Sequence, residues 1–196
     1  MELTGKQMIG FSNSQKGSRE FHGLNASTGE IVGPTFYEAT TDEVDAALTL
    51  AKSAFSKFRK ISDLDRAQFL MATIDEINAI GDDLIKTACA ESGLPEARIT
   101  GERGRTTGQI KAFADFISNN QWRKEIHDPA LPDRQPLPKP DLFQKQIPLG
   151  PSVIFGASNF PLAFSVAGGD TMSATENANG KLLAPKITLG PNGICF

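Results

Sequence analysis

Two cysteines and two histidines are the only thiols and imidazoles in 196 residues. Cys89 and Cys195 lie far apart in the chain, and neither has His22 or His127 as a sequence neighbour. No His/Cys group has the spacing of a metal centre, so no metal is expected. Thiols this few and this separated fit a reduced compartment better than a disulfide scaffold. No apolar run approaches the length of a membrane span. The opening Met1-Glu2-Leu3-Thr4-Gly5-Lys6 lacks the charged-then-apolar pattern of a secretory signal, so a cytoplasmic location is expected. The glycosylation triplet Asn25-Ala26-Ser27 is therefore read as chance. Basic residues number 20 against 23 acidic ones, with a net charge of −3 and no basic run. Nucleic-acid and anionic-membrane partners both need a concentrated positive patch and are disfavoured. The chain has no internal repeat and no Gly-x-Gly-x-x-Gly fingerprint.

What is present is ordinary for a globular chain: 39% hydrophobic and 22% charged residues, enough for one core with an added arm. Residues 1–39 are rich in Gly, Ser, Thr and Asn, with turn chemistry at Asn25-Ala26-Ser27-Thr28-Gly29-Glu30, and predict short strands or a hairpin. Residues 40–126 predict a helical layer. Thr40-Thr41-Asp42-Glu43 spells a capping box, followed at helical spacing by Val44, Leu48, Ala51, Phe55 and Phe58. Ser62-Asp63-Leu64-Asp65 starts a second helix with Leu70, Ile74, Ile77 and Ile80 on one stripe. Asp82 begins a third, which Gly93 stops. Pro95 suits the first turn of a fourth, whose buried face is Ile99, Ile110, Phe113 and Ile117.

In that fourth helix Gly101, Gly104 and Gly108 share a face, which predicts close approach of another backbone. A phosphate-binding loop is the alternative, and it fails because its Lys-Ser/Thr ending is absent. Residues 127–149 hold Pro129, Pro132, Pro136, Pro138, Pro140 and Pro148, a density that excludes helix and central strand. An extended arm against another subunit is expected, since a long structureless stretch inside a compact domain is unusual. From Ile147 to Phe155 the apolar pattern predicts a strand of a buried parallel sheet, and Pro161 opens a helix after it.

A strand-turn-helix of this kind places Asn159 at the carboxyl end of a parallel strand, where open α/β sheets bind ligands. Its side-chain amide suits two jobs. It can donate a hydrogen bond to a developing oxyanion, or it can simply cap the helix that follows.

The stretch LGPSVIFGASNFPLAFSVAGGDT resembles the Gly-Pro…Asn-Phe/Tyr-Pro signature of the aldehyde dehydrogenase superfamily. ESGLPEARITGERGRTTGQIKAF, DRQPLPKPDL and the opening LTGKQMIG narrow the resemblance to the 2-oxoglutarate semialdehyde (2,5-dioxovalerate) dehydrogenases and their bacterial relatives. The likeness runs from Met1 to about Ala174. It implies an α/β fold: a helical layer plus the beginning of a Rossmann-like parallel sheet, truncated. The implied units are 1–39, 40–126, the oligomerisation arm 127–149, the strand, oxyanion turn and helix 150–174, and an unmatched tail 175–196. The resemblance further implies NAD(P)+-dependent oxidation of an aldehyde through a cysteine thiohemiacetal, in a homo-oligomer. Asn159 matches the family's oxyanion donor, and Phe155, Gly156, Ala157 and Ser158 match residues lining its NAD or NADP cleft. Ala157-Ser158 stand where many superfamily members have Pro-Trp, and this form belongs to the narrower family.

Past Ala174 the family pattern is lost. Neither Lys181 nor Lys186 takes the place of its cofactor-contacting lysine, and no counterpart of its nucleophilic cysteine or general-base glutamate is present. Cys89, in LIKTACAES, reads as a buried, inert thiol, and Cys195 lies in the unmatched tail. The chain alone is expected to be inactive. The alternatives are a non-catalytic helical module that docks on full-length subunits, and a chain that does not fold stably by itself.

Overall fold

The computed structural model describes residues 4–119 and 125–176. Strands β1 (Gln7–Ile9) and β2 (Ser12–Ser14) form one antiparallel hairpin, and β3 (Glu20–Leu24) and β4 (Ile31–Tyr37) form a second. Asn25 shapes the second turn: its side-chain oxygen accepts the Ser27 and Thr28 N–H groups, the local bonding that favours Asn in turns.

Four helices follow: α1 (Thr41–Phe58), α2 (Asp63–Ile80), α3 (Asp82–Ser92) and α4 (Glu96–Ser118). The capping box at α1 forms as expected. The Thr40 hydroxyl accepts the Glu43 N–H at 3.3 Å, and Glu43 Oε2 accepts the Thr40 N–H at 2.9 Å. Ser62 caps α2 by accepting the Asp65 N–H at 3.0 Å. Gly81, at φ 68°, breaks the chain between α2 and α3. Gly93 ends α3 in the left-handed conformation, φ 70°, with its N–H on the Cys89 carbonyl. Pro95 stands one residue before α4, at its N-cap.

The core has two clusters, both leaning on α4. Ala67 and Leu70 of α2 meet Ile110, Ala114 and Ile117 of α4, with Met172 added from a short helix α5 (Gly169–Glu176). Leu84, Ile85 and Ala88 of α3 meet Ile99 of α4 and, from far along the chain, Leu162. Of the expected stripes, Ala51, Leu70, Ile99, Ile110 and Ile117 are buried and Val44, Phe55, Phe58, Ile74, Ile77 and Phe113 are half-buried. Leu48 and Ile80 are each 43% exposed, while Glu43 and Ala47 are buried on α1.

Strands β5 (Ile126–Asp128) and β6 (Leu142–Gln144) pair antiparallel, and a Leu131–Lys139 bridge extends the ribbon through the proline-rich stretch. The expected arm is thus a two-stranded ribbon, with prolines flanking its short ladders rather than interrupting them. His127 stacks on Phe143 at 4.0 Å and bonds Asp141 at 2.9 Å.

Three expectations are corrected. Residues 147–157 form no strand, and Val153 and Phe155 are 51% and 63% exposed. No strand among the described residues runs beside them, so the apolar segment has no ladder to join. The helix expected at Pro161 begins only at Gly169, and residues 161–168 are turns. Gly101, Gly104 and Gly108 approach no other backbone among the described residues: a Cβ at any of them would meet nothing within 4 Å. The close packing read from their spacing is not made within this segment. The tail from residue 177 onward, with Lys181, Lys186 and Cys195, lies outside the described residues.

Candidate active site

Asn159 sits on a loop that closes upon itself. The Ala157 N–H donates to the Phe164 carbonyl at 3.1 Å, and the Phe164 N–H donates to the Phe160 carbonyl at 3.1 Å. Gly156 permits this closure, because a Cβ there would stand 2.8 Å from the Phe164 carbonyl oxygen. Leu162 and Ala163 are buried, Leu162 in the α3/α4 cluster, so the far limb of the loop is pinned to the core. Phe155, Gly156, Ala157, Ser158 and Asn159 are exposed. The near limb therefore presents small, uncharged residues and one amide to solvent.

Helix α4 holds this loop from beneath. Arg98 Nη2 donates to the Asn159 carbonyl at 2.9 Å, and its guanidinium lies 5.2 Å from the Phe160 ring centroid. One turn on, Glu102 is buried, and its Oε1 accepts the N–H groups of Leu162 and Ala163 at 2.8 and 2.9 Å. Arg105 follows, 5.8 Å from the Phe160 centroid and 5.9 Å from that of Phe164, whose rings meet edge to face at 5.5 Å.

The structure brings the five residues singled out from the sequence, 155–159, to one exposed limb. The helix-cap alternative for Asn159 has no helix to serve, since α5 starts ten residues later. Arg98, Glu102 and Arg105 were missed as part of the site. Only Glu102 carried a signal: Ile99, Glu102, Thr106 and Ile110 follow a buried-stripe spacing, and a glutamate inside such a stripe needs a reason.

Fold and loop invite comparison with known proteins. A family model described as "Aldehyde dehydrogenase family" matches residues 11–178. The chain belongs to the aldehyde dehydrogenase family. It is 48% identical over 175 residues to alpha-ketoglutaric semialdehyde dehydrogenase 2 of Azospirillum brasilense, covering 89% of this chain and 33% of that protein. Against the alpha-ketoglutaric semialdehyde dehydrogenase of Acinetobacter baylyi the figures are 42% over 173 residues, 88% and 33%. Among solved structures, an aldehyde dehydrogenase from Brucella melitensis biovar abortus 2308 superposes with a TM-score of 0.77 at 20% identity, covering 90% of this chain and 35% of that one. Aldehyde dehydrogenase 21 from Physcomitrella patens, solved with the reaction product succinate, gives 0.77 at 20% identity, with coverage of 91% and 36%. This aldehyde dehydrogenase segment thus spans about a third of the length of the relatives it matches.

Within the segment, Cys89 makes a poor nucleophile. It packs beside the α3/α4 cluster, and burial pushes its thiol pKa up, with the Glu96 carboxylate adding in the same direction. A nucleophile needs the thiolate, so both effects oppose reactivity. The described residues hold no group of His, Cys, Asp and Glu able to bind a metal ion, and no helix among them is long and apolar enough to cross a membrane.

Proposed function

We propose that this segment supplies the oxyanion-binding asparagine and one wall of the dinucleotide cleft in an NAD(P)+-dependent dehydrogenase of 2-oxoglutarate semialdehyde or a similar ω-semialdehyde. One observation carries the proposal: Asn159 is held by its backbone and free at its side chain. Its carbonyl is bonded to Arg98, its loop is closed by Ala157 and Phe164, and its exposed amide bonds no described residue. A held backbone leaves only the Asn159 side chain to orient toward charge as it develops, and an amide without another partner can donate to it. The amide would donate to the oxygen of a thiohemiacetal formed by a cysteine outside the described residues.

Phe155, Gly156, Ala157 and Ser158 fit a cofactor wall in being exposed, mostly small and uncharged. NAD or NADP bound there would supply the acceptor for the aldehyde hydride. The semialdehyde class rests on the two relatives named for alpha-ketoglutaric semialdehyde.

The test is Asn159→Ala in an intact dehydrogenase carrying this segment, with loss of kcat by about 10²–10³ expected. Unchanged kcat removes Asn159 from the chemistry. The 196-residue chain alone is expected to form no NAD(P)H from a semialdehyde, and measurable turnover by the pure chain overturns that.

A second reading is favoured by the ribbon. Ile126, Leu131, Leu137, Leu142 and Phe143 are all at least half exposed there. An apolar two-stranded ribbon of this kind would dock on another copy of the chain or on a full-length subunit. Co-elution with a full-length relative on size exclusion supports docking, and separate elution at high concentration removes it.

A further inference from the structure

We infer that Glu102 is a positioning residue for Asn159: its buried carboxylate, working with Arg98, pins the loop that carries Asn159 to α4. The inference rests on the role proposed for Asn159 and goes beyond it.

A helical turn with Pro161 at its first position bonds the Phe164 N–H to the Phe160 carbonyl, as here at 3.1 Å, and leaves the Leu162 and Ala163 N–H groups without a partner on the turn. The free peptide groups around this turn are taken by α4. Arg98 donates to the Asn159 carbonyl at 2.9 Å, and Glu102 Oε1 accepts the Ala163 N–H at 2.9 Å. Glu102 also takes the Leu162 N–H at 2.8 Å. The two side chains are four residues apart on α4 and therefore stacked on one face. They act as a donor and an acceptor set at the spacing of the peptide groups they occupy. The loop is thus tied to α4 at Asn159, Leu162 and Ala163.

The location of Glu102 argues for a purpose. It lies in the buried stripe between Ile99 and Thr106 and is 6% exposed. No Lys or Arg among the described residues forms an ion pair with it, and its Oε2 has no hydrogen-bond partner among them. A buried carboxylate without a cation is a costly choice where an aliphatic side chain would extend the Ile99–Ile110 stripe. Such a departure from core patterning is expected beside a functional site. An aliphatic residue at 102 would leave two consecutive N–H groups buried and unsatisfied.

Three substitutions separate the possibilities. Glu102→Gln keeps an acceptor oxygen for both N–H groups, Glu102→Ala removes it, and Glu102→Asp keeps the charge but withdraws it by one methylene. Amide hydrogen exchange on the 196-residue chain reads the clamp directly. The expected result is exchange at Leu162 and Ala163 faster by about tenfold or more in E102A and E102D, and near the parent rate in E102Q. The core amides of Ile110 and Ile117 serve as the internal reference. The Asn159 backbone NMR signal is expected to shift or split in E102A and E102D, and to stay put in E102Q. If E102A does not fold, E102D carries the comparison.

Unchanged exchange at Leu162 and Ala163 overturns the inference, as does an E102Q variant that behaves like E102A, because the acceptor would then not be what matters. In an intact dehydrogenase, E102A should lower kcat about tenfold with little change in KM, and should add no loss to Asn159→Ala. A purely structural role would add its loss in both backgrounds. If the intact parent oxidises no aldehyde, the proposed function fails while the exchange result still decides the clamp.

Discussion

Arg98 Nη2 and the Asn159 carbonyl oxygen lie 2.9 Å apart although 61 residues separate them, and the same guanidinium stands 5.2 Å from the Phe160 ring. One side chain thereby fixes both the peptide that carries the asparagine and the residue after it. Lysine cannot replace this arrangement, because its ammonium lacks the planar face that lies against a ring while an edge donates. Arg98→Lys and Arg98→Ala should both lower kcat of an intact dehydrogenase, by about two- to tenfold, the worth of one hydrogen bond of about 0.5–1.5 kcal/mol. Global stability should move little, since Arg98 is exposed on the first turn of α4. Steady-state kinetics and a urea melt on the same preparations check both halves.

The glycine face of α4 is open to a sharp test. Gly104 is exposed, has no neighbour within 4 Å of an added Cβ, and lies in the middle of a helix. Alanine there removes backbone freedom from the unfolded chain, so Gly104→Ala should stabilise the 196-residue chain by about 0.5–1 kcal/mol. A rise in thermal midpoint checks this. If the same substitution destabilises a longer dehydrogenase carrying this segment, a surface beyond the described residues covers this face, and the close approach read from the glycine spacing is made there.

Legibility followed the range of the interaction. The capping box of Thr40 and Glu43, the Ser62 cap and the Gly93 stop are each settled within four residues, and they stand in the structure as the sequence implied. Buried stripes were readable because helical period is local too. The Asn159 loop was readable only as a motif. What shapes it, Glu102 and Arg98, comes from about sixty residues away, and no local pattern announces that partnership. Pro161 pointed to a helix, and one helical bond forms there, from the Phe164 N–H to the Phe160 carbonyl, before the chain runs on in turns to Gly168. Residues 147–155 have strand composition, but a strand needs a neighbour, and none of the described strands adjoins them.

Glu43 ties the first hairpin to α1 and makes the fold sensitive to acid. Its carboxylate accepts the Ser14 hydroxyl at 2.5 Å and the Lys16 N–H at 3.1 Å, in addition to the cap at Thr40. Burial works to raise its pKa, but bonds from Ser14, Thr40 and Lys16 together outweigh that and hold it below the ordinary carboxylate value. A carboxyl with a lowered folded pKa contributes stability that is complete above its unfolded value, about 4.3, and is lost as pH falls through the folded one. The parent chain should therefore lose stability through this window more steeply than Glu43→Gln, which should be less stable at neutral pH and flatter in acid. Urea melts at stepped pH check this, and parallel curves for the two proteins would remove Glu43 as the source.

The ribbon gives the last expectation. Phe143 is 74% exposed and stacks only one face on His127, while His127 is itself tied to Asp141. The Phe143 ring thus stands ready-ordered, with little side-chain freedom left to lose on binding, which is what an interface anchor requires. Phe143→Ser should weaken self-association, or association with a full-length subunit, by about tenfold or more, while leaving the melt of the helical layer in place, because the ribbon contributes nothing to the two core clusters. Sedimentation equilibrium over a range of concentrations reads the association. Equal association of the two proteins would move the docking surface off the ribbon and leave the exposed faces of the helical layer to supply it.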